Sequence, residues 1–138
     1  MTGRSLLLDT CAILWTFGSG EIDETAAEQI EEASRNNSLL ISPISAWEIG
    51  MLVRKGRIAL TKSPELWFDD VLSAPGVRLA PMQPSVLIAS SFLPGYPPND
   101  PADRIIAATA RSEGAMLVTR DSLLLTYARH GHVQILPC

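Results

Sequence analysis

Residues 100–121 read DPADRIIAATARSEGAMLVTRD, and this stretch decides the fold. Asp100 is suited to the N-cap of a helix, and Pro101 is suited to its first position. Gly114 is the residue type that commonly follows the last turn of a helix. Residues 115–119 then form a short apolar run of the kind found in buried strands. The stretch therefore predicts a helix that leads directly into a strand.

Asp103 is the unusual residue of this helix. At ~100° per residue it shares a face with Ile106, Ala107 and Ala110, so its carboxylate lies on the apolar stripe. A carboxylate in that position needs a partner, because an unpaired buried charge is costly. One explanation is structural, with Asp103 and Asp100 forming a capping box. The other is a functional site, and the rest of the chain has to decide between them.

The composition is that of a folded protein. The 138 residues are 46% apolar and 19% charged, which is ordinary for such a protein. A chain of this length predicts one domain over residues 1–138. The apolar runs are far shorter than the ~18 residues of a membrane span, and residues 6–8 are too short for a signal-peptide core. We therefore expect a cytoplasmic protein that makes no membrane contact.

The net charge is −4, which argues against a protein held to nucleic acid by bulk charge alone. Local basic clusters are still compatible with such contact. One cluster is Arg54, Lys55, Arg57 and Lys62, and a second set is Arg104, Arg111, Arg120 and Arg129.

The two cysteines, Cys11 and Cys138, do not form a disulfide framework. Neither has the spacing of a metal ligand. Cys11 lies in an apolar run, which predicts a small core residue.

Short apolar runs alternate with helical segments along the whole chain. This pattern predicts an α/β fold with a mainly parallel sheet between helical layers. The predicted strands are residues 5–8, 39–42, 77–80, 115–119 and 133–136.

Four acids follow a strand or lie in the first turn of the next helix. They are Asp9, Glu48, Asp103 and Asp121. Glu48 also fits a capping box with Ser45, which is the structural explanation for that residue. Ligands of open α/β sheets bind outside the carboxyl ends of the strands. If the strands are parallel neighbours, the four carboxylates meet at that edge.

Carboxylates that lie close together cannot all stay ionised without compensation. An all-oxygen set of ligands favours the hard cations Mg²⁺ or Mn²⁺ over Zn²⁺. Such an ion can activate a water molecule and stabilise a leaving oxygen. A phosphodiester is the natural substrate for that chemistry.

The sequence resembles a PIN-domain ribonuclease, and specifically a VapC-type toxin of a bacterial toxin–antitoxin pair. Four motifs carry the resemblance in the same order and spacing over nearly the whole chain. They are LLLDT at 6–10, SPISAWEI at 42–49, DPADRIIAATA at 100–110 and LVTRD at 117–121. Each motif alone is weak, and the four together are strong.

The resemblance implies a three-layer α/β/α sandwich and Mg²⁺- or Mn²⁺-dependent endonucleolytic cleavage of RNA. It also implies a homodimer and a cognate VapB-type antitoxin that inserts a segment into the active-site groove. The family's catalytic and metal-binding acids correspond here to Asp9, Glu48, Asp103 and, with more variation in the family, Asp121. Thr10 and Thr119 resemble hydroxyl residues that orient ligands or water.

Two other classes of protein remain as alternatives, a phosphatase and a binding module, and the binding module could be a PIN fold without activity or a receiver domain. A phosphatase with Asp9 as its nucleophile would resemble haloacid-dehalogenase-like enzymes, but these carry a second Asp where this chain has Cys11. A PIN fold kept only for protein binding would usually have lost an acid, and all four are present. A receiver domain expects an adjacent acidic pair early in the chain and an Asp after the middle strand, and this chain has neither.

Overall fold

A five-stranded parallel sheet forms the centre of the protein, in a computed structural model that describes residues 4–18 and 20–138. The spatial order is β3-β2-β1-β4-β5, and every neighbouring pair is parallel. The strands are β1 (Leu6–Leu8), β2 (Leu39–Ile41), β3 (Val77–Leu79), β4 (Met116–Thr119) and β5 (Ile135–Pro137).

Helices connect the strands and cover both faces of the sheet. They are α1 (Thr10–Phe17), α2 (Glu24–Arg35), α3 (Pro43–Arg54), α4 (Pro64–Ser73), α5 (Pro84–Ser90), α6 (Pro101–Glu113) and α7 (Ser122–Arg129). Within the described residues, none of these helices combines the length and the apolar character needed to span a membrane.

The alternation of side chains along the strands creates two apolar cores. Leu6 and Leu8 face one core, which is completed by residues of α1, α2 and α4. Leu7 points to the opposite face and packs with residues of α6 and α7. Parallel strands covered on both faces are expected to be apolar throughout, and β1 and β2 are fully buried. The predicted three-layer α/β/α sandwich is confirmed.

The stretch at 100–121 folds as its sequence predicts. Asp100 accepts hydrogen bonds from the backbone N–H groups of Ala102, at 2.8 Å, and Asp103, at 3.1 Å. Gly114 adopts a left-handed conformation with φ 62° and closes the helix. The chain then enters β4, whose two neighbours are β1 and β5.

The strand order places a topological switch point between β1 and β4. From β1 the chain moves outward through β2 to β3, and it then returns to the other side of β1 as β4. The crevice at the carboxyl ends of two such strands is where open α/β sheets bind ligands. Asp9 follows β1, and Asp121 lies two residues beyond β4.

Two predictions about the chain were wrong in detail. The last strand begins at Ile135 rather than at residue 133, because Val133 belongs to the turn that packs against α6 and α7. Cys11 is exposed rather than part of the core. It lies in the first turn of α1, whose buried residues are Thr10, Ala12 and Ile13.

Candidate active site

Asp9 lies directly at the switch point and is almost fully buried, with 6% of its surface exposed. One carboxylate oxygen accepts the backbone N–H of Ala12 at 2.8 Å, so Asp9 is the N-cap of α1. The other oxygen accepts a hydrogen bond from the hydroxyl of Thr119, at the end of β4. Asp9 thus joins the helix that follows β1 to the neighbouring strand.

Asp121 is connected to Asp9 through the same threonine. Its backbone N–H donates to Thr119 Oγ1 at 3.0 Å. Its carboxylate caps α7 by accepting the N–H of Leu124 at 3.0 Å. Thr119 is fully buried, so one hydroxyl group sets the relative position of two of the four acids.

Glu48 is held in a similar way by a hydroxyl from another helix. Thr10, which directly follows Asp9, donates its hydroxyl proton to the Glu48 carboxylate. Thr10 Oγ1 also lies 3.0 Å from Ser45 Oγ. Thr10 has only one hydroxyl proton, so Ser45 is the donor in this second hydrogen bond. The result is a chain of two hydrogen bonds from Ser45 through Thr10 to Glu48.

The predicted capping box of Ser45 and Glu48 was wrong. Ser42 is the N-cap of α3 and accepts the N–H of Ile44 at 3.2 Å. Ser45 is inside the helix with none of its surface exposed. Its place one turn before Glu48 was visible in the sequence. Its partner, Thr10, lies 35 residues away in the chain, and no local signal identifies such a pair.

Asp103 has a different environment from Asp9 and Glu48. Burial, followed by the charges of four other carboxylates, raises its pKa to about 7. These carboxylates are, in order of influence, Asp100, Asp121, Glu48 and Asp9. The Asp100 side chain accepts the N–H of Asp103, which is one half of a capping box. The other half, a hydrogen bond from the N–H of Asp100 to the Asp103 carboxylate, is absent among the described residues.

The pKa values of Asp9 and Glu48 are also raised. Burial is the main cause in both cases, and repulsion from other carboxylates adds to it. The hydrogen bonds from Thr119 and Thr10 oppose the shift, because they favour the ionised form. The four acids are therefore close enough to influence one another electrostatically.

The four carboxylates are spaced apart rather than tightly clustered. Within the described residues, no group of three or more His, Cys, Asp or Glu side chains has an arrangement that could hold a metal ion. Mutual repulsion between like charges is a sufficient reason for this spacing. The donor set itself fits a hard divalent cation, because every candidate ligand is a carboxylate oxygen.

The pKa of the Cys11 thiol is also affected by the negative charges of these acids. Cys11 is exposed, yet desolvation of its thiol, followed by the charges of Asp9 and Glu48, raises its pKa to about 11. A thiol in this state is protonated at neutral pH and is a poor nucleophile. A phosphatase of the alternative class carries its second Asp at this position. In this chain the position holds the Cys11 thiol, which is unreactive at neutral pH.

The basic residues divide into two kinds. Arg54, Lys55 and Arg57 are exposed at the end of α3, whereas Lys62 is paired with Asp70 at 2.6 Å. The second predicted set does not form one cluster, because its members contact separate parts of the backbone or a neighbouring hydroxyl. Their hydrogen bonds are Arg104 to Ser90 O, Arg111 to His132 O, Arg120 to Glu21 O and Cys138 O, and Arg129 to Thr126 Oγ1.

Comparison with known proteins agrees with this architecture. Residues 6–129 match the sequence profile of the PIN domain. This chain belongs to the PIN domain family. A relative, Ribonuclease VapC22 of Mycobacterium tuberculosis (strain ATCC 25618 / H37Rv), is 35% identical over 127 residues, or 91% of this chain and 93% of the relative. Membership of this group of PIN-domain nucleases implies a general dependence on a divalent metal.

Solved structures share the fold at lower sequence identity. The crystal structure of VapBC2 from Rickettsia felis bound to a DNA fragment from their promoter matches with a TM-score of 0.68 and 19% identity, over 96% of this chain and 97% of that chain. DNA-bound VapBC from Salmonella typhimurium gives a TM-score of 0.66 and 20% identity, over 98% of both chains. FitAB bound to an IR36 DNA fragment gives 0.63 and 20%, over 96% and 94%.

Proposed function

We propose that this PIN-domain protein is a divalent-metal-dependent endoribonuclease that acts as the toxin of a toxin–antitoxin pair. The observation that carries the proposal is the set of four carboxylates at the switch point of the sheet, two of them oriented by buried threonine hydroxyls. The name of the relative of this chain, Ribonuclease VapC22, gives the same activity for that protein. We further propose that residues 1–138 form one PIN-like domain.

Asp9 and Asp103 are proposed as the principal ligands of a Mg²⁺ or Mn²⁺ ion, and Asp121 completes the outer part of the site. When bound, the ion neutralises the carboxylates, polarises the phosphate and makes water a better nucleophile. Thr119 keeps the Asp9 carboxylate at the end of β4. Asp103, whose pKa is about 7, would be held in its ionised form at neutral pH when such an ion is bound.

Glu48 is proposed as a ligand through water or as the general base. Its carboxylate is held by Thr10 on the helix that follows Asp9, so it lies beside the metal ligands rather than in bulk solvent. As a base it accepts the proton of the water that attacks phosphorus in line with the leaving oxygen. Its raised pKa makes it a better proton acceptor than an ordinary surface glutamate.

The proposed partners are an RNA substrate, a cognate VapB-type antitoxin and a second copy of the chain. The structural relatives are VapBC and FitAB assemblies, which supports an antitoxin as partner. An apolar groove of about 580 Å³ is lined in part by Leu14, Trp15, Leu60 and Trp67, and it offers a surface on which an antitoxin segment can bind. A cytoplasmic location stays a prediction that follows from an RNA substrate.

The decisive experiment is incubation of the purified protein with total cellular RNA. Discrete fragments should appear with Mg²⁺ or Mn²⁺, disappear with chelator and be absent with the Asp103→Ala variant. Mass spectrometry of the preparation beforehand establishes that no antitoxin is bound. An antitoxin-free protein that produces no fragments in either metal would contradict the proposal and favour a PIN fold kept for protein binding.

A further inference from the structure

A tryptophan lies exposed beside the acidic site. Trp47 directly precedes Glu48 in the first half of α3, and 59% of its surface is exposed. The tryptophan of α4, Trp67, is only 7% exposed and contributes to the core. Trp47 and Glu48 are consecutive residues of α3, so their Cα atoms are ~3.8 Å apart while their side chains point ~100° apart around the helix axis. An exposed aromatic side chain at this place on the helix is available to a ligand that extends beyond the acids, and the substrate is such a ligand.

The surface that continues from Trp47 along α3 is open. Trp47, Gly50 and Arg54 are separated by three and then four residues, which places them on one face of the helix. A Cβ atom added at Gly50 would meet no other atom within 4 Å, so nothing covers the backbone between the other two side chains. Trp47 and Arg54 are ~10.5 Å apart along the helix axis at 1.5 Å per residue.

The charged residues that α3 and the segment after it contribute to the far end of this surface are all basic. Arg54, Lys55 and Arg57 are exposed, and no acidic residue occurs from Ile49 to Pro64. Two ion pairs are present in the described part of the chain, Arg35–Glu31 and Lys62–Asp70, and neither involves these three residues. In a protein of net charge −4, this is a local region that attracts a polyanion.

We propose that Trp47 stacks against an unpaired base of the RNA substrate and that Arg54 and Lys55 bind phosphates of the same strand. The strand runs along α3, from the acidic site at Glu48 toward the basic end of the helix. The spacing of ~10.5 Å corresponds to about three nucleotides at ~3.4 Å per stacked step. This inference rests on the proposed ribonuclease function and requires the base that stacks on Trp47 to be unpaired, because bases inside a duplex cannot stack on a side chain.

The first test measures binding of a fluorescently labelled single-stranded RNA that contains a mapped cleavage position. All proteins carry Asp103→Asn, so that the RNA stays intact, and Mg²⁺ is present. Trp47→Ala should raise the Kd about 5- to 150-fold, which is the usual effect of losing one base-stacking aromatic. Trp47→Phe should recover most of the affinity. Leu66→Ala is the matched control, since Leu66 is 58% exposed on a different helix.

The second test identifies the stacked nucleotide. A series of RNAs, each with one abasic position, is bound to the protein with and without Trp47→Ala. One abasic position should weaken binding by the protein that keeps Trp47 and should have little further effect on the alanine variant. Such non-additivity is the signature of two groups in direct contact. Equal effects of every abasic position on both proteins would overturn the stacking assignment.

The third test concerns the phosphates. Substituting Arg54→Gln and Lys55→Gln together should lower the slope of log K against log salt concentration by about 1.4, at ~0.7 per phosphate contact for a single strand. Arg129→Gln, on an exposed arginine at the end of α7, should leave the slope unchanged. An unchanged slope in the double variant would remove α3 from the path of the strand.

The outcomes separate this inference from the proposed function. If the native protein cleaves RNA with metal but Trp47→Ala binds the single strand normally, the function stands and the stacking role is wrong. If Trp47→Ala alters the oligomeric state in light scattering without altering the Kd for RNA, Trp47 instead contacts a second copy of the chain. If the native protein neither binds nor cleaves RNA, the proposed function itself is wrong.

Discussion

Two carboxylates at the switch point are held by hydroxyl groups, and a third at the same edge is not. Asp9 and Glu48 each accept a hydrogen bond from a buried threonine, Thr119 and Thr10 respectively. Asp103 is surrounded by other acids, and its pKa is about 7. The difference teaches that hydroxyl groups of the fold orient the carboxylates of Asp9 and Glu48, whereas the charge of Asp103 is opposed by its surroundings. A cation, if bound as proposed, would compensate that charge.

The largest expected effect is loss of RNA cleavage, and we expect it both for the acid that a threonine hydroxyl holds, Asp9, and for the acid that is not held in this way, Asp103. Asp9→Ala and Asp103→Ala should each reduce the rate of RNA cleavage by at least ~10²–10³-fold, the scale for losing a group that stabilises charge in the transition state. Cleavage of a labelled RNA under single-turnover conditions measures this. Asp100→Ser is the matched control, because serine keeps the cap of α6 while the charge is removed.

The same two variants should differ in stability. Asp9→Ala removes the cap of α1 and should lower the free energy of unfolding by about 1 kcal/mol. Asp103→Ala removes a repelled charge and should raise the stability of the metal-free protein. Urea denaturation in chelator measures both. A fall in stability for Asp103→Ala similar to that for Asp9→Ala would show that the contrast between the two acids is wrong.

Removal of the Thr119 hydroxyl should weaken metal binding. Thr119→Val leaves the Asp9 carboxylate without its orienting donor, and loss of a group that orients a metal ligand typically costs 10–100-fold in metal affinity. Titration calorimetry with Mn²⁺ measures this. Thr109→Val is the control, since Thr109 is equally buried and donates to the Ile105 carbonyl away from the acids. If both variants bind Mn²⁺ normally, Thr119 has only a structural role.

Removal of the Ser45 hydroxyl should have a smaller effect. In Ser45→Ala the Thr10 hydroxyl still donates to Glu48, but it loses the donor behind it. The expected cost is about 1 kcal/mol of stability, as for one buried hydrogen bond, with only a few-fold loss of cleavage. Ser90→Ala removes a buried hydroxyl that donates to the Leu87 carbonyl and should cost stability alone. A loss of activity as large as for Asp9→Ala would give Ser45 a direct part in the chemistry.

A further expected effect is on the pH dependence of stability in chelator. The pKa of Asp103 is about 7 in the folded protein and near the ordinary value of 3.8 in the unfolded chain, so the folded state binds more protons between these values. The free energy of unfolding from this group is therefore greatest at low pH and falls as pH rises from about 4 to about 7.

Melting temperatures between pH 4 and 8 provide the measurement. Asp103→Asn should flatten the fall, because the amide does not titrate, and added Mg²⁺ should raise the melting temperature near pH 7. Asp69→Asn serves as the control, because Asp69 is an exposed acid of α4 whereas its neighbour Asp70 is paired with Lys62. The same slope in the native protein and in Asp103→Asn would place the titrating group elsewhere.

The order and type of the elements were determined by local signals in the sequence. Asp100 and Gly114 define the start and the end of α6 through contacts within a few residues, and such contacts need no knowledge of the rest of the fold. The apolar runs likewise predicted the parallel sheet, because strands covered on both faces have few polar residues. The positions of the four acids at strand ends followed from the same pattern.

Only the tertiary structure decided which polar groups meet. Thr10 and its partner Ser45 are 35 residues apart in the chain, and Thr119 and its partner Asp9 are 110 residues apart. Contacts over such distances depend on strand order, and β1 pairs with both β2 and β4 only in the folded sheet. Ser42 and Ser45 both fit the local pattern of a cap, and packing against α1 made the second one part of the site.

The exposure of side chains was also decided by packing. Cys11 lies in an apolar run and was expected in the core, yet α1 buries Ala12 and Ile13 and leaves the thiol at the acidic edge. Trp47 belongs to a helix that buries Ser45 and Ile49, but its own side chain remains largely in solvent. Sequence periodicity assigns a residue to a face of its helix, and only the neighbouring elements determine whether that face is covered.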